Sequence, residues 1–529
     1  MNASSRAAGV GVQGENVSFG VSVTVKKRRI YIIGTFDPAL TSVVAEVPVQ
    51  VFSADDVGSR TGFGFMLHRL AKQVFAGNKG VETFIVPQAE AGAAVAAAGS
   101  VTFTPSGVVT AGTLNLRIGG FTLVQVSVTA GMTGAQLATA LVAAINALRT
   151  KEGCPVTAAV DGTDTTKVNF ISKSKGTWGN RISLTLNTEY GEAGAAPGNL
   201  TATIVAMATG SGTPTLTNAL TALGSGDNQN SGDGTAVVHG YGQTTTPLDN
   251  ISVYNGIGLS KQGNYSSMVH KPFYSLVGNV DSGSAGLSTL ITFTDGRKLD
   301  RTSGVVAADG SPCMPDEVAA LAVGIIEGMA ATRPEENYVD VPLPGVIPGA
   351  QTNRWSDEYS NRDAAVQAGI SPTYVKNGVV TLQNVMTFHR PDSVPVESNS
   401  YASVRNIVLI QNVLENTYKE FNKSDWKGIS IVKDKAQVSN ALSKLKVKDV
   451  QDVKDALLAL NAQMVGMGWL YSDEMLIKYM RENPNTIVQI RANMSGFDMI
   501  FPLIFSIEGG ILNAAVQYDT SIAAVRTAA

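Results

Sequence analysis

The chain has 529 residues, of which 44% are hydrophobic and only 16% charged, and its formal net charge is −3. This composition excludes a strongly basic nucleic-acid footprint, and it excludes disorder over most of the length. Ordinary domain sizes divide such a length into about three or four domains. The two cysteines, Cys154 and Cys313, form no CxxC pair and no metal spacing, so they read as two thiols of a reducing cytoplasm. The first twenty residues, MNASSRAAGVGVQGENVSFG, contain no apolar stretch of the secretory kind. Asp498, Pro502 and Glu508 interrupt the longest apolar run, so no segment is expected to cross a membrane.

In chain order, the first patterned segment is Val17 to Val25. Val17, Phe19, Val21, Val23 and Val25 alternate with Ser18, Gly20, Ser22 and Thr24. A period of two predicts a half-buried strand, and a strand near a chain end pairs either within its own domain or with a neighbouring chain. The basic run Lys26–Arg29 follows and reads as a solvated or intersubunit charge cluster. Ile30–Ile33 is then a continuous apolar run, an internal strand. A helix over Phe63 to Phe75 and a strand over Glu82–Val86 complete an α/β start. AEAGAAVAAAGS, beginning at Ala89, reads as a small-residue linker.

Beyond it, Leu114–Ile118 and Phe121–Val128 flank Gly119-Gly120, a hairpin signal. A helix carries Leu137, Leu141, Ile145 and Leu148 on one side. Val168–Ser172 and Ile182–Leu186 read as strands, and a Gly-, Thr- and Ser-rich stretch runs from Gly191 to Thr246. These features predict a β-rich domain over residues 99–245. It would be inserted into a discontinuous α/β core of residues 30–98 and 246–395, preceded by an N-terminal arm of residues 1–29. Glu317 to Ala331 is helical, Val341–Gly349 is an ordered loop or extended connection, and Val379–Leu382 and Val385–Phe388 resume strand character.

A long helix is predicted from Tyr401 to Phe421, with Ile407, Ile410, Leu414, Tyr418 and Phe421 as its apolar stripe. A second begins near Asp449. Its Val450, Val453, Leu457, Leu460, Met464 and Met467 form a short seam at 3-4 spacing, suited to packing on its own domain. Thr486–Asn493 and Phe497–Ile507 read as a closing pair of strands. Residues 396–508 thus form a C-terminal α/β domain, and residues 509–529 a small, mixed tail needing a partner. The fold class is a multidomain α/β (α+β) chain with an inserted β-rich domain.

The motifs that suggest chemistry lack the context chemistry needs. Gly9 to Gly14 matches GxGxxG, but a phosphate cradle requires a preceding strand and a following helix, and here a strand follows. Asp227 to Gly234 resembles a calcium loop, yet Gln229 and Ser231 occupy ligand positions and Val238 stands where the bidentate Glu belongs. His68, His239, His270 and His389 form no HExxH and no i, i+4 pair. The sequence has no GxxxxGK[ST] and no GxSxG, so no enzyme activity, metal or cofactor is expected. A hydrolase with a dispersed triad stays the alternative from that class. Lys444, Lys446, Lys448 and Lys454 form a second basic group, read either as a solvated face or as a salt-sensitive contact with an acidic partner.

Several segments, taken in order, resemble contractile tail sheath proteins, most closely those of Mu-like myophages. They are RRIYIIGTF, TGAQLATALVAAINAL, GTWGNRISLTLN, PDEVAALAVGIIEGMA leading to NYVDVPLPGV, RDAAVQAGISPTYVKNGVVTLQNVMTFHR, SYASVRNIVLIQNVLENTY and TIVQIRANMSGFDMIFPLIFSI. The order AGIS…NGVV…L…V.TF is the most specific part, and the similarity runs over most of the chain as a pattern. The resemblance implies a structural subunit of stacked hexameric rings around a tail tube, in contact with itself, the tube, the baseplate and the tail terminator. It implies no direct nucleic-acid contact and no membrane insertion. It also implies terminal arms that donate strands to neighbours, with Val17, Phe19, Val21, Val23 and Val25 in one arm and Ile511, Val516 and Tyr518 in the other. Lys444, Lys446, Lys448 and Lys454 would face the tube. The same resemblance fits the sheath of a tailocin or related injection particle, and another structural virion protein is the third reading.

Overall fold

The computed structural model describes residues 23–506, except 79, 189, 224–232, 257–262, 266–268, 391–398, 445, 485 and 494. Val17, Phe19, Val21, Ile511, Val516 and Tyr518, the GxGxxG match and most of the calcium-like loop lie outside the described residues. The chain divides into two compact units. Among the described residues, 27–411 form the larger, and 23–26 with 412–506 the smaller.

The larger unit opens with β1 (Arg29–Thr35), β2 (Val49–Val51), α1 (Ala54–Thr61), α2 (Met66–Gly77) and β3 (Glu82–Gln88). Next come β4 (Ala96–Pro105), β5 (Gly112–Ile118), β6 (Thr122–Val128), α3 (Gly134–Asn146), β7 (Val156–Val160), β8 (Lys167–Lys175), β9 (Leu184–Leu186) and β10 (Leu200–Ala208). The chain continues through α4 (Leu216–Ala222), β11 (Ala236–His239), α5 (Thr245–Asn255), β12 (Tyr274–Asn279), α6 (Gly283–Asp295), β13 (Ser303–Ala307) and α7 (Pro315–Ala330). It ends with β14 (Val341–Pro342), α8 (Tyr359–Gln367), β15 (Ile370–Lys376), β16 (Val379–Leu382) and the first half of α9 (Val404–Phe421).

Nine of these strands form one sheet in the order β14-β16-β15-β13-β12-β11-β1-β3-β2. Its centre, from β3 to β15, is parallel. Parallel strands are covered on both faces, which is why Ile30–Ile33 and Ala236–His239 read as unbroken buried runs. Successive residues of β13 feed opposite faces. Val306 belongs to the same buried cluster as Leu321 of α7, while Val305 and Ala307 cluster with Leu248 of α5, Leu287 and Leu290 of α6 and Ala365 of α8. Pro315 at the first turn of α7, followed by Asp316 and Glu317, suits a helix start.

Two smaller sheets lie between β3 and β11 in sequence: β10-β4-β8-β7 and β6-β5-β9. Leu137, Leu141 and Ile145 of α3 are buried, as the spacing predicts, while Leu148 lies beyond the helix end and is half-buried; Thr133 with Gln136 makes a capping box at the helix start. Gly119 and Gly120, at the β5–β6 turn, take φ of 62° and 74°, where glycine is favoured.

Three expectations are corrected here. The second half of the predicted linker is β4, because its small residues let strands meet closely: a Cβ on Gly99 would lie 2.9 Å from the carbonyl oxygen of Val205 on β10. Val385–Phe388 is not a strand. Met386 makes one isolated bridge to Ser403. β11, within residues 99–245, belongs to the large sheet.

In the smaller unit, α9 continues from Asn412, followed by β17 (Ser430–Ile431), α10 (Ala441–Lys444), β18 (Val447–Lys448), α11 (Val450–Gly466), α12 (Asp473–Glu482), β19 (Val488–Ile490) and β20 (Phe497–Met499). Asp449 caps α11 through the main-chain N–H groups of Gln451 and Asp452. Val453, Leu457, Leu460 and Met464 of its seam are buried, whereas Met467 is exposed. The core joins Val453 and Leu457 to Ile487 and Val488. The closing strands are shorter than predicted, three residues each.

Candidate functional site

The Lys26–Arg29 run is not a solvated cluster. Extended backbone sends alternate side chains to opposite sides, so Lys26 and Arg28 are buried while Lys27 is exposed. In the larger unit Arg28 meets Glu327 of α7 through Nε (2.9 Å to Oε2) and Nη2 (2.5 Å to Oε1). Its Nη1 donates to Gln411 Oε1 at 2.7 Å. The Gln411 amide nitrogen donates to the carbonyls of Thr235 and Pro272, and Thr235 Oγ1 donates to Glu327. Burial works against the Arg28 charge, but Glu327 outweighs it and holds the guanidinium protonated.

A pair of carboxylates stands at the start of α7. Arg69 of α2 grips Glu317 with two bonds of 2.8 Å and reaches Thr122 Oγ1 (2.7 Å) and the Gly153 carbonyl (3.2 Å). Arg181 pairs with Asp316 and donates to the Gly240 carbonyl at 2.7 Å. Burial pushes the carboxyls of Asp316 and Glu317 up, and the arginines pull them back.

The Arg181–Asp316 pair, through the Gly240 carbonyl, lies beside the carboxyl end of β11, where strand order reverses. β3 lies on one side of β1 and β11 on the other, and open α/β sheets bind ligands beyond the carboxyl ends of such strands. Here that crevice is filled by the chain itself. Met66 packs on Gly34 at the end of β1 and on Gly240 after β11, so close that a Cβ on Gly240 would lie 2.5 Å from its sulfur. Among the described residues no three His, Cys, Asp or Glu side chains gather as a metal site. No helix among them is long and apolar enough to cross a membrane.

In the smaller unit, residues 23–26 run along α9 without forming a strand. The Val23 N–H donates to Gln463 Oε1 (2.9 Å), that of Thr24 to Asn416 Oδ1 (2.9 Å), and that of Lys26 to Asn412 Oδ1 (2.7 Å). Asn416 Nδ2 returns a bond to the Thr24 carbonyl at 2.8 Å. Lys26 Nζ pairs with Glu415 at 3.1 Å. Burial pushes the Glu415 carboxyl up, but Lys26 and Lys419 outweigh it and hold it below its ordinary value.

The β19–β20 pair is a two-stranded sheet among the described residues. Met499 on β20 is exposed, as are Tyr471, Met475, Tyr479, Ile500 and Ile504 in the same unit. The lysine group divides. Lys444 and Lys446 face solvent, whereas the Lys448 ammonium sits 4.7 Å from the centre of the Trp426 ring and Lys454 Nζ donates to the Pro484 carbonyl at 2.7 Å.

The sequence reading missed the amides of Gln411, Asn412, Asn416 and Gln463. Its stripe of Ile407, Ile410, Leu414, Tyr418 and Phe421 is fully buried only at Ile407. The i, i+4 pair Asn412 and Asn416 was the available signal.

No protein-family model matches the chain, and no curated protein matches it. The chain is similar over nearly its full length to solved contractile sheath proteins. A sheath tail protein from Desulfitobacterium hafniense is 12% identical, with a TM-score of 0.42, covering 94% of this chain and 98% of that one. A sheath tail protein from Listeria innocua is 10% identical, with a TM-score of 0.40, covering 92% and 94%. The sheath of an extracellular contractile injection system in its contracted state is 10% identical, with a TM-score of 0.47, covering 98% and 99%.

Proposed function

We propose that the chain is the sheath subunit of a contractile tail: a structural protein that polymerises around a tail tube and contracts to drive the tube through a host envelope. The observation that carries this reading is the small β19–β20 sheet. Val453 and Leu457 of α11 cover one face of this pair at Val488, while its two edges pair with no other strand among the described residues. Exposed apolar side chains occur in the same unit, and the alternating segment ending at Val25 leads into it. A strand supplied by a neighbour would satisfy the open edges through main-chain hydrogen bonds.

In this reading residues 1–29 and 509–529 are linking arms. Residues 30–98 with 246–395, joined by β11, form the core, the rest of 99–245 the outer domain, and the smaller unit the tube-facing domain, with Lys444 and Lys446 among its solvent-facing cations. Subunits form stacked hexameric rings and move as near-rigid bodies between two lattices. The baseplate and tail terminator bound the stack, assembled in a bacterial cytoplasm. The sheath of a tailocin or related contractile injection particle is the alternative context for the same reading.

Electron microscopy of the purified full chain tests the proposal. Hollow, striated cylinders of uniform diameter are expected. Deleting residues 1–22 should leave folded subunits that do not polymerise, and normal cylinders from that deletion would remove the arm from the mechanism.

A further inference from the structure

We propose that Asn412 and Asn416 of α9, with Gln463 of α11, form a binding site for extended peptide main chain, and that residues 23–26 are its resident ligand. The site fixes the course of residues 23–26 in the smaller unit. It stands on the geometry of that unit and holds whether or not the chain builds a sheath.

The match is one of repeats. Four residues of α-helix rise about 6 Å, and two residues of extended chain advance roughly 6.6 Å. Asparagines spaced i, i+4 on one helix face therefore meet alternate N–H groups of an extended segment. Asn416 takes Thr24 and Asn412 takes Lys26, so the segment runs antiparallel to the helix. Asn416 both accepts from and donates to Thr24, as a neighbouring strand does. Asn412 and Asn416 are almost fully buried, where an amide left without partners is costly.

Toward Val23, Thr24 and Lys26, these amides bond main-chain atoms. The side chains of residues 23–25 are exposed or half-buried. Specificity rests chiefly on Lys26, whose ammonium meets Glu415 one turn along the same face; the Thr24 hydroxyl takes only a long, exposed bond of 3.4 Å from Lys419 Nζ. The site thus tolerates changes in side chain at 23–25 but requires the N–H at 24 and 26.

Hydrogen exchange on the full-length chain, read by mass spectrometry over residues 23–27, tests this. Protection is expected in the unaltered chain. Thr24→Pro and Asn416→Ala should each speed exchange there by roughly fivefold or more, the effect of losing one or two net hydrogen bonds. Thr24→Ala and Val25→Ala should leave it unchanged, and exchange in β1 should not move. Should Asn416→Ala also expose α11, Thr24→Pro decides, since that position is on the surface. The proposal is overturned by absent protection in the unaltered chain, by protection that survives Thr24→Pro, or by Val25→Ala acting as strongly as Thr24→Pro.

Discussion

Arg28 and Glu327, 299 positions apart in sequence, meet as a two-bond ion pair from which solvent is almost excluded. Gln411 and Thr235 satisfy the remaining polar atoms on either side. Removing one member leaves the other charged, buried and unpaired. Arg28→Met is therefore expected to cost about 3–5 kcal/mol of stability, and Glu327→Leu about the same. The double variant should recover a large part of that loss, because two apolar side chains leave no orphan charge. Urea unfolding followed by circular dichroism measures all three. Additive losses in the double variant would contradict the pairing.

Arg69 has a different consequence because it touches three parts of the larger unit. It grips Glu317 on α7, Thr122 on β6 and the carbonyl of Gly153. Arg69→Met should lower stability by about 3–5 kcal/mol as a broken buried pair. It should also loosen the segment between β4 and β10 first. Limited proteolysis should then cut within residues 106–199 before it cuts β12 or β13. Uniform digestion would show that this contact does not hold the segment.

How far the sequence reveals this molecule depends on the distance over which each feature is decided. The buried part of the α11 seam and the helix start near Asp449 were legible because they are decided among neighbouring residues. Ile30–Ile33 was legible as a fully covered strand for the same reason. The strand at Ala96–Pro105 was hidden by its small residues, which signal a linker unless the partner strand is known. Lys26 and Arg28 looked like surface charge, since their carboxylates lie 389 and 299 positions away. The apolar stripe assigned to α9 was displaced for a related reason: Asn412 and Asn416 are buried because an extended segment from the other end of the sequence lies on them.

The thiols give a simple check on packing. Cys154 and Cys313 are both reduced and buried. Burial pushes the Cys313 thiol up to about 11 and raises that of Cys154 as well. Thiolate is the reactive form, so neither should react with a disulfide reagent at pH 8 in the native chain. Both should react at once in guanidinium. Fast native labelling of Cys313 would mean that the β5–β6 turn, whose Gly120 packs on it, opens readily.

Two histidines set the response to acid. His68 accepts the Gly64 N–H through Nδ1, and His239 accepts that of Tyr241, both in buried surroundings. Burial lowers each to about 3, helped by Arg69 and Lys72 at the first and by Arg181 at the second. In the unfolded chain both titrate near 6.5. Between about pH 6.5 and 3 the unfolded state therefore binds the protons and the folded state does not. Stability is full above pH 6.5 and falls with acid by about 1.4 kcal/mol per pH unit for each histidine. Burial pushes Asp316 and Glu317 the other way, so their protonation opposes the loss as pH falls. His239→Gln should remove roughly half of the histidine slope between pH 6.5 and 5 in urea titrations. An unchanged slope would show that His239 titrates alike in the folded and unfolded chains, and a steeper slope in the variant would show that the folded chain binds that proton more tightly.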